Sequence, residues 1–238
     1  MNTLSPSLFT QTGATKLIEL GHRMTEDSTG RVWRYTLAGG STIGRGKIAV
    51  QATVDAQRIN LGFSIANVIG DKKATILLGT GAATRNFFQD GWLVVQDGLG
   101  EGRAYPIEGH DAIGASTAGV FKLKEALDTV SAVTVANVDI LRNQYAGAVI
   151  SVTDQADYVL GFPNVAITNA EYGWVQTYGP CAVWFDEAVA NGAGLTTGTA
   201  VAGSVEMIDA SGEILLGHVA GTAGVDDEYQ MVDLSIKA

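Results

Sequence analysis

The sequence predicts an all-β protein: antiparallel sandwich or barrel-like domains made of short strands joined by glycine-rich turns, with little helix. Three observations lead there. Apolar, β-branched and aromatic residues come in runs of about four to eight, bounded by Gly, Asn, Asp, Ser and Thr, the spacing of short strands and tight turns. Glycine occurs 30 times in 238 residues against four prolines, well above its usual share of about 7%, so positions free to take positive φ are abundant. Hydrophobic residues make up 46% of the chain and charged ones 17%, enough to fill a core at this length.

Residues 1–15 are rich in Ser, Thr, Asn and Gly without a period, and read as a flexible N-terminal arm that is ordered when a neighbour holds it. Residues 16–20 and 31–37 flank the turn formers at 25–30, which predicts a β-hairpin. Within it Val32, Arg34 and Thr36 alternate with Trp33, Tyr35 and Leu37, the period of a strand with one buried face. Further strands are expected at 46–51, 74–78 and 92–96, with a helical turn over 82–90. A strand is expected at 120–124; residues 121–127 also suit a short helix by propensity, with strand the favoured reading. Strands then follow at 138–141, 148–152, 165–167, 172–178, 181–185, 205–208, 214–216 and 229–236.

Charge changes along the chain. Through Arg142 there are 14 Lys and Arg against 13 Asp and Glu; from Asn143 onward Lys237 stands against 12 acids. The expected organisation is an arm over 1–15, a near-neutral β-rich region over 16–142 and an acidic β-rich region over 143–238, the last two able to share a domain. The acidic region repels nucleic acid, and the aromatics lack the basic stripe of a single-strand platform. No run approaches the roughly 18 apolar residues of a membrane span, and the opening residues lack the basic and apolar parts of a signal peptide. Synthesis in a cytoplasm, without membrane or nucleic-acid partners, is expected. Cys181 is the single cysteine, which excludes an intramolecular disulfide and a Cys-based zinc site.

Residues 96–110, QDGLGEGRAYPIEGH, place Gly98, Gly100 and Gly102 at alternate positions. A dinucleotide fingerprint needs a helix directly after its glycines to aim N–H groups at the pyrophosphate; here Pro106 and β-favouring neighbours oppose one. Asp97 and Glu101 lack the ligand density of a calcium loop. The remaining reading is a hairpin that pairs 92–96 with 103–107. His22, His110 and His218 each stand beside glycine in expected turns, without metal-binding spacing. Residues 114–119 (GASTAG) miss the G-x-S-x-G pattern of a serine hydrolase. Cys181, followed by Ala-Val-Trp-Phe, reads as a small packed residue, and Asp186-Glu187 and Asp226-Asp227-Glu228 as acidic loop tips. No catalytic, cofactor-binding or metal-ligating set emerges. Trp92, Trp174 and Trp184 give a carbohydrate-binding module as an alternative, although their apolar surroundings favour a core role; a hydrolase with dispersed acids is a third reading.

Residues 30–39 (GRVWRYTLAG), 90–107 (DGWLVVQDGLGEGRAYPI) and 171–180 (EYGWVQTYGP), with the closing 226–236 (DDEYQMVDLSI), resemble tailed-bacteriophage virion structural proteins of the capsid decoration, or cement, type. The resemblance spans residues 16–237. It implies a β-rich, non-enzymatic head protein that binds the major capsid protein on the outer surface of the capsid and stabilises the shell, with no catalytic residues or cofactors. A homo-oligomer, with a trimer favoured, matches the threefold positions of an icosahedral lattice. A tail, fibre or neck component is the alternative within the same class. The charge change suggests docking through the part before Asn143.

Overall fold

A computed structural model of the protein describes residues 6–54, 58–130, 136–152 and 158–236. Among them regular structure consists of sixteen strands and one 3-10 turn, Pro6–Thr10. Two compact units divide the chain, one formed by residues 1–52 with 144–238 and the other by 53–143, so the second is inserted into the first. This division differs from that of charge: the acidic C-terminal residues complete a unit that residues 1–52 begin. The split unit holds seven Lys and Arg against 15 acids, and the inserted unit eight against ten.

The split unit opens with β1 (Arg23–Thr25), β2 (Val32–Ala38) and β3 (Ala49–Val50). The inserted unit follows with β4 (Leu61–Gly62), β5 (Lys73–Leu77), β6 (Trp92–Asp97), β7 (Ala104–His110), β8 (Ala118–Leu123) and β9 (Asn137–Leu141). The split unit resumes with β10 (Ala146–Ile150), β11 (Val159–Pro163), β12 (Tyr172–Trp184), β13 (Gly194–Thr197), β14 (Val205–Met207), β15 (Gly217–Val219) and β16 (Tyr229–Ser235).

Pairing closes these strands into barrel-like rings. In the split unit β2, β10, β3, β11 and β12 follow one another and β12 returns to β2, around Ile43, Ala49, Tyr145, Leu160 and Val175. Past Tyr178, β12 leaves β2 for β16, followed by β15, β13 and β14; the Phe185–Val205 bridge closes a second ring around Phe162, Val183, Phe185, Leu195 and Leu234. In the inserted unit the order is β4, β9, β6, β7, β8, β5, and the Phe63–Ile76 bridge joins its ends around Phe63, Leu93, Ile107, Phe121 and Ile140. Closure pairs the ring strands and leaves few open edges.

β12 replaces the two strands expected at 172–178 and 181–185. Gly179 takes φ 80, which lets the strand bend where it changes partners. The buried Gln176 amide donates to the carbonyls of Tyr178, Gly179 and Pro180 at 3.0, 3.1 and 2.9 Å, tying the bend on its carbonyl side. The hairpin near the N-terminus also shifts. Its first strand is β1, because Glu26 tightens the turn, its carboxylate accepting from Arg31 Nε at 2.6 Å and Thr29 Oγ1 at 2.7 Å. Expected strands at 165–167 and 214–216 reduce to the Ile43–Ile167 bridge and to β15, which starts at Gly217. Residues 82–90 form successive turns rather than a helical one, with left-handed Asn86 and Asp90. Residues 118–123 form a strand, as favoured over a helix.

β2 is buried on both faces, not one. Trp33 and Tyr35 project from the side opposite the ring core and meet Trp174 of β12. Such an aromatic surface costs free energy in water, and the N-terminal segment covers it: Phe9, 2% exposed, stacks on Trp33 with centroids 4.7 Å apart and meets Trp174 edge-on at 5.6 Å. Residues 1–5 of the expected arm lie outside the described residues. From Pro6 the chain itself holds the segment, with Gly13 bridged to Tyr172 and Leu17 N–H donating to the Tyr35 hydroxyl at 3.1 Å.

Both units contain one recurring device. Two strand–loop–strand elements face each other, β2–β3 with β11–β12 in the split unit and β5–β6 with β7–β8 in the inserted one. Their loops are joined by antiparallel bridges, Ile43–Ile167 and Ala83–Ile113. Three residues after each bridging residue the backbone is left-handed, at Gly46, Asn86, Ser116 and Ala170. The segments AIGASTAGVFK (112–122) and AITNAEYGWVQ (166–176) share Ala-Ile-x5-Gly. At Gly119 a Cβ would meet Ile113 Cγ1 at 2.5 Å, and at Gly173 it would meet Ile167 Cγ1 at 2.8 Å, so each isoleucine fills the space its glycine leaves.

Candidate functional site

The histidines, the cysteine and the acidic pairs singled out from the sequence lie on separate elements. His22 and His218 are exposed, whereas His110 is buried, and among the described residues no three His, Cys, Asp or Glu gather as a metal site. Cys181 is buried and its thiol is pushed up to about 12 by burial, so no thiolate nucleophile is available near neutral pH. Gly98, Gly100 and Gly102 have φ 80, 89 and 80 in the turn between β6 and β7, the hairpin the sequence predicts. Asp97 accepts from the N–H of Gly98 at 2.7 Å.

His110 is part of the loop pairing in the inserted unit. The Phe88 backbone N–H donates to its Nε2 at 3.0 Å, and its Nδ1 lies 2.7 Å from the Asp111 carbonyl. A backbone N–H can only donate, so Nε2 keeps its lone pair and Nδ1–H donates to Asp111. Burial is the main cause holding the imidazole below its ordinary pKa. Arg58 adds a positive charge over the Phe88 ring while donating to the carbonyls of Gly81 and Ala82 at 2.6 and 2.9 Å. This neutral, satisfied histidine holds a loop.

Asp186 and Glu187 likewise organise loops. Asp186 Oδ2 accepts from the N–H groups of Ala200 and Val201 at 3.1 and 3.2 Å and from Ser204 Oγ at 2.7 Å. Glu187 accepts from the Met207 N–H at 2.6 Å. Beside them, Lys47 Nζ lies over the Trp184 ring at 4.5 Å, and burial lowers its pKa against the opposing pull of Asp186 and Asp227. Trp174 is buried and Trp184 carries the Lys47 ammonium; Trp92 alone of the three stands open, at 46% exposure.

Two surface patches combine apolar side chains with charge. In the inserted unit residues 64–72 are stapled by their polar groups: Asn67 donates to the Lys73 carbonyl at 2.7 Å, Asp71 accepts from the Val68 N–H at 3.0 Å, and Gly70 N–H donates to the Leu127 carbonyl at 2.8 Å. Ile65, Val68 and Ile69 are left outward, 59–65% exposed. Leu77 and Val120 are exposed on β5 and β8, where Lys73 stands opposite Lys122. In the split unit Met207, Ile214 and Leu215 are exposed on either side of β13; Glu187, Glu206, Asp209 and Glu213 surround them in sequence or through hydrogen bonds. Neither patch was singled out from the sequence, because Ile65 and Ile214 look there like ordinary core residues.

Among the described residues no helix is long and apolar enough to cross a membrane. No protein-family model, curated protein or solved structure matches the chain.

Proposed function

We propose that the protein is a non-enzymatic structural component of a tailed-phage particle, a head decoration or cement protein that binds the major capsid protein on the outside of the shell. The supporting observation is where the resembling blocks fall. Residues 30–39 contain β2, 90–107 contain the β6–β7 hairpin, and 171–180 begin β12, so each block builds a ring. The likeness is therefore one of scaffold, as suits a protein whose role is to bind and brace. Many copies on a repeating lattice gain avidity, and each contact can be modest. The near-neutral residues before Asn143 supply the docking surface, and the assembly is a trimer.

The deciding measurement is the abundance of this chain in purified particles relative to the main shell protein, by quantitative mass spectrometry. A fixed stoichiometry and loss of shell stability when the chain is stripped away are expected. Absence from particles ends the proposal, and localisation to the tail or neck moves it to a different part of the virion.

A further inference from the structure

We infer that Asp97 is a self-modification site: its carboxyl group closes on the Gly98 nitrogen to a cyclic imide, whose hydrolysis leaves an isoaspartyl residue at the β6–β7 turn. The triplet Gln-Asp-Gly occurs twice in the chain, at 89–91 and 96–98, so the local chemistry is shared and the tertiary setting separates the two. At 96–98 the aspartate is exposed and its carboxylate folds back on its own backbone, Oδ1 accepting from the Gly98 N–H at 2.7 Å. Cγ is bonded to that oxygen, so the attacking nitrogen and the carbon it attacks are already held as neighbours, an arrangement that favours an intramolecular step. Gly98 places no Cβ beside the nitrogen and takes φ 80, a conformation open to glycine. Behind the turn, Val95 N–H donates to the Arg103 carbonyl at 2.8 Å and Gly102 N–H to the Val95 carbonyl at 3.0 Å, so the hairpin keeps its pairing while the exposed tip reacts.

At 89–91 the same triplet is locked. The Asp90 side chain is 5% exposed and faces Lys124 Nζ at 3.4 Å, its carbonyl accepts from Asn143 Nδ2 at 2.9 Å, and Gly91 N–H donates to the Phe88 carbonyl at 3.0 Å. Cyclisation there waits on local unfolding. Asn191-Gly192 is the third pair of this kind, and its Gly192 N–H is aimed away from the Asn191 side chain, at the Val219 carbonyl at 3.0 Å. The step at Asp97 needs no reactant but water. The Gly98 nitrogen bonds to Cγ of the protonated carboxyl, and the carboxyl hydroxyl leaves with the N–H proton as water. Water then opens the imide: attack at Cγ restores aspartate, whereas attack at the α-carbonyl leaves the chain joined through Cγ with the α-carboxylate as its side group. The overall composition is unchanged, but the backbone is longer by one methylene at the end of β6, where Asp97 stands opposite Asn137 of β9. This inference rests on the geometry of one chain and not on the virion reading.

The test is ageing of the purified full chain in heavy-oxygen water, followed by peptide mapping with electron-transfer fragmentation, which tells isoaspartate from aspartate. Isoaspartate carrying heavy oxygen is expected to accumulate at position 97 about tenfold faster than at position 90, because only the first carboxyl is already held beside its nitrogen. It should form at 97 no more slowly than in the free peptide QDGLG. In urea the two triplets should converge, since unfolding removes the contacts that separate them. A carboxyl methyltransferase specific for isoaspartate should label the aged β6–β7 peptide. Asp97→Glu, whose longer side chain disfavours ring closure, should abolish that label, and Asp97→Asn should hasten it with release of ammonia. Both changes are at an exposed position, so folding is retained. Equal rates at 90 and 97 in the folded chain, a preference for 97 that persists in urea, or slower reaction at 97 than in the free peptide would overturn the inference.

Discussion

Acid should loosen the inserted unit through His110. Its ring stands among Phe88, Phe121, the Arg58 guanidinium and the Asp111 carbonyl, and the Asp111 carboxylate is itself near Arg85, at 3.9 Å. A proton on Nε2 would face the Phe88 N–H, replacing a hydrogen bond with two opposed donors. Burial already lowers the folded pKa, so the unfolded or locally opened state binds the proton more readily. The sign follows from linkage: this contribution is complete above the unfolded pKa of about 6.5, declines as pH falls below it, and levels off once the folded pKa is passed. The ceiling at pH 5 is about 1.5 pH units at 1.36 kcal/mol each, roughly 2 kcal/mol or a 30-fold rise in the open population. Urea unfolding of wild type and His110→Gln at pH 8 and pH 5 isolates the effect, because glutamine can accept from one backbone group and donate to the other without titrating. Amide exchange at Phe88 reports the local opening. Equal acid losses in the two proteins, or a native His110 that titrates at or above its ordinary pKa, would refute the reasoning.

Phe9→Ala should cost about 3 kcal/mol by removing a buried ring and its contacts with two tryptophans, and should shift tryptophan emission to the red as Trp33 and Trp174 meet water; Leu17→Ala, at an exposed position, should stay within about 0.5 kcal/mol. An unshifted unfolding midpoint for Phe9→Ala would mean that the segment is not docked in solution. Gly119→Ala and Gly173→Ala should each cost about 1–3 kcal/mol by crowding Ile113 and Ile167. Combining each with Ile→Ala at its partner should lose less than the sum of the single changes; additive losses would show that the glycine and isoleucine do not share space.

The all-β class and the β6–β7 hairpin were legible because both depend on local chemistry. Alternation marks strands, and Gly98, Gly100 and Gly102 permit the left-handed turn wherever the hairpin sits. The recurrent Ala-Ile-x5-Gly was also present in the sequence, but its meaning depends on Gly119 lying under Ile113, which spacing alone does not reveal. The charge change at Arg142 came close to the end of the inserted unit, yet charge could not show that residues on both sides of the insertion fold together. β11 was missed because Gly161, at φ 138, and Pro163 interrupt its apolar pattern.

Residue order by itself determined strands, turns and the absence of a recognisable catalytic motif, since these rest on neighbours a few positions apart. Tertiary structure decided which strands close into rings, that Phe9 covers Trp33, and which aliphatic residues remain outside. Those outcomes depend on pairings such as Val50 with Val149, where two segments of similar character become partners only because the chain between them folds into a unit of its own.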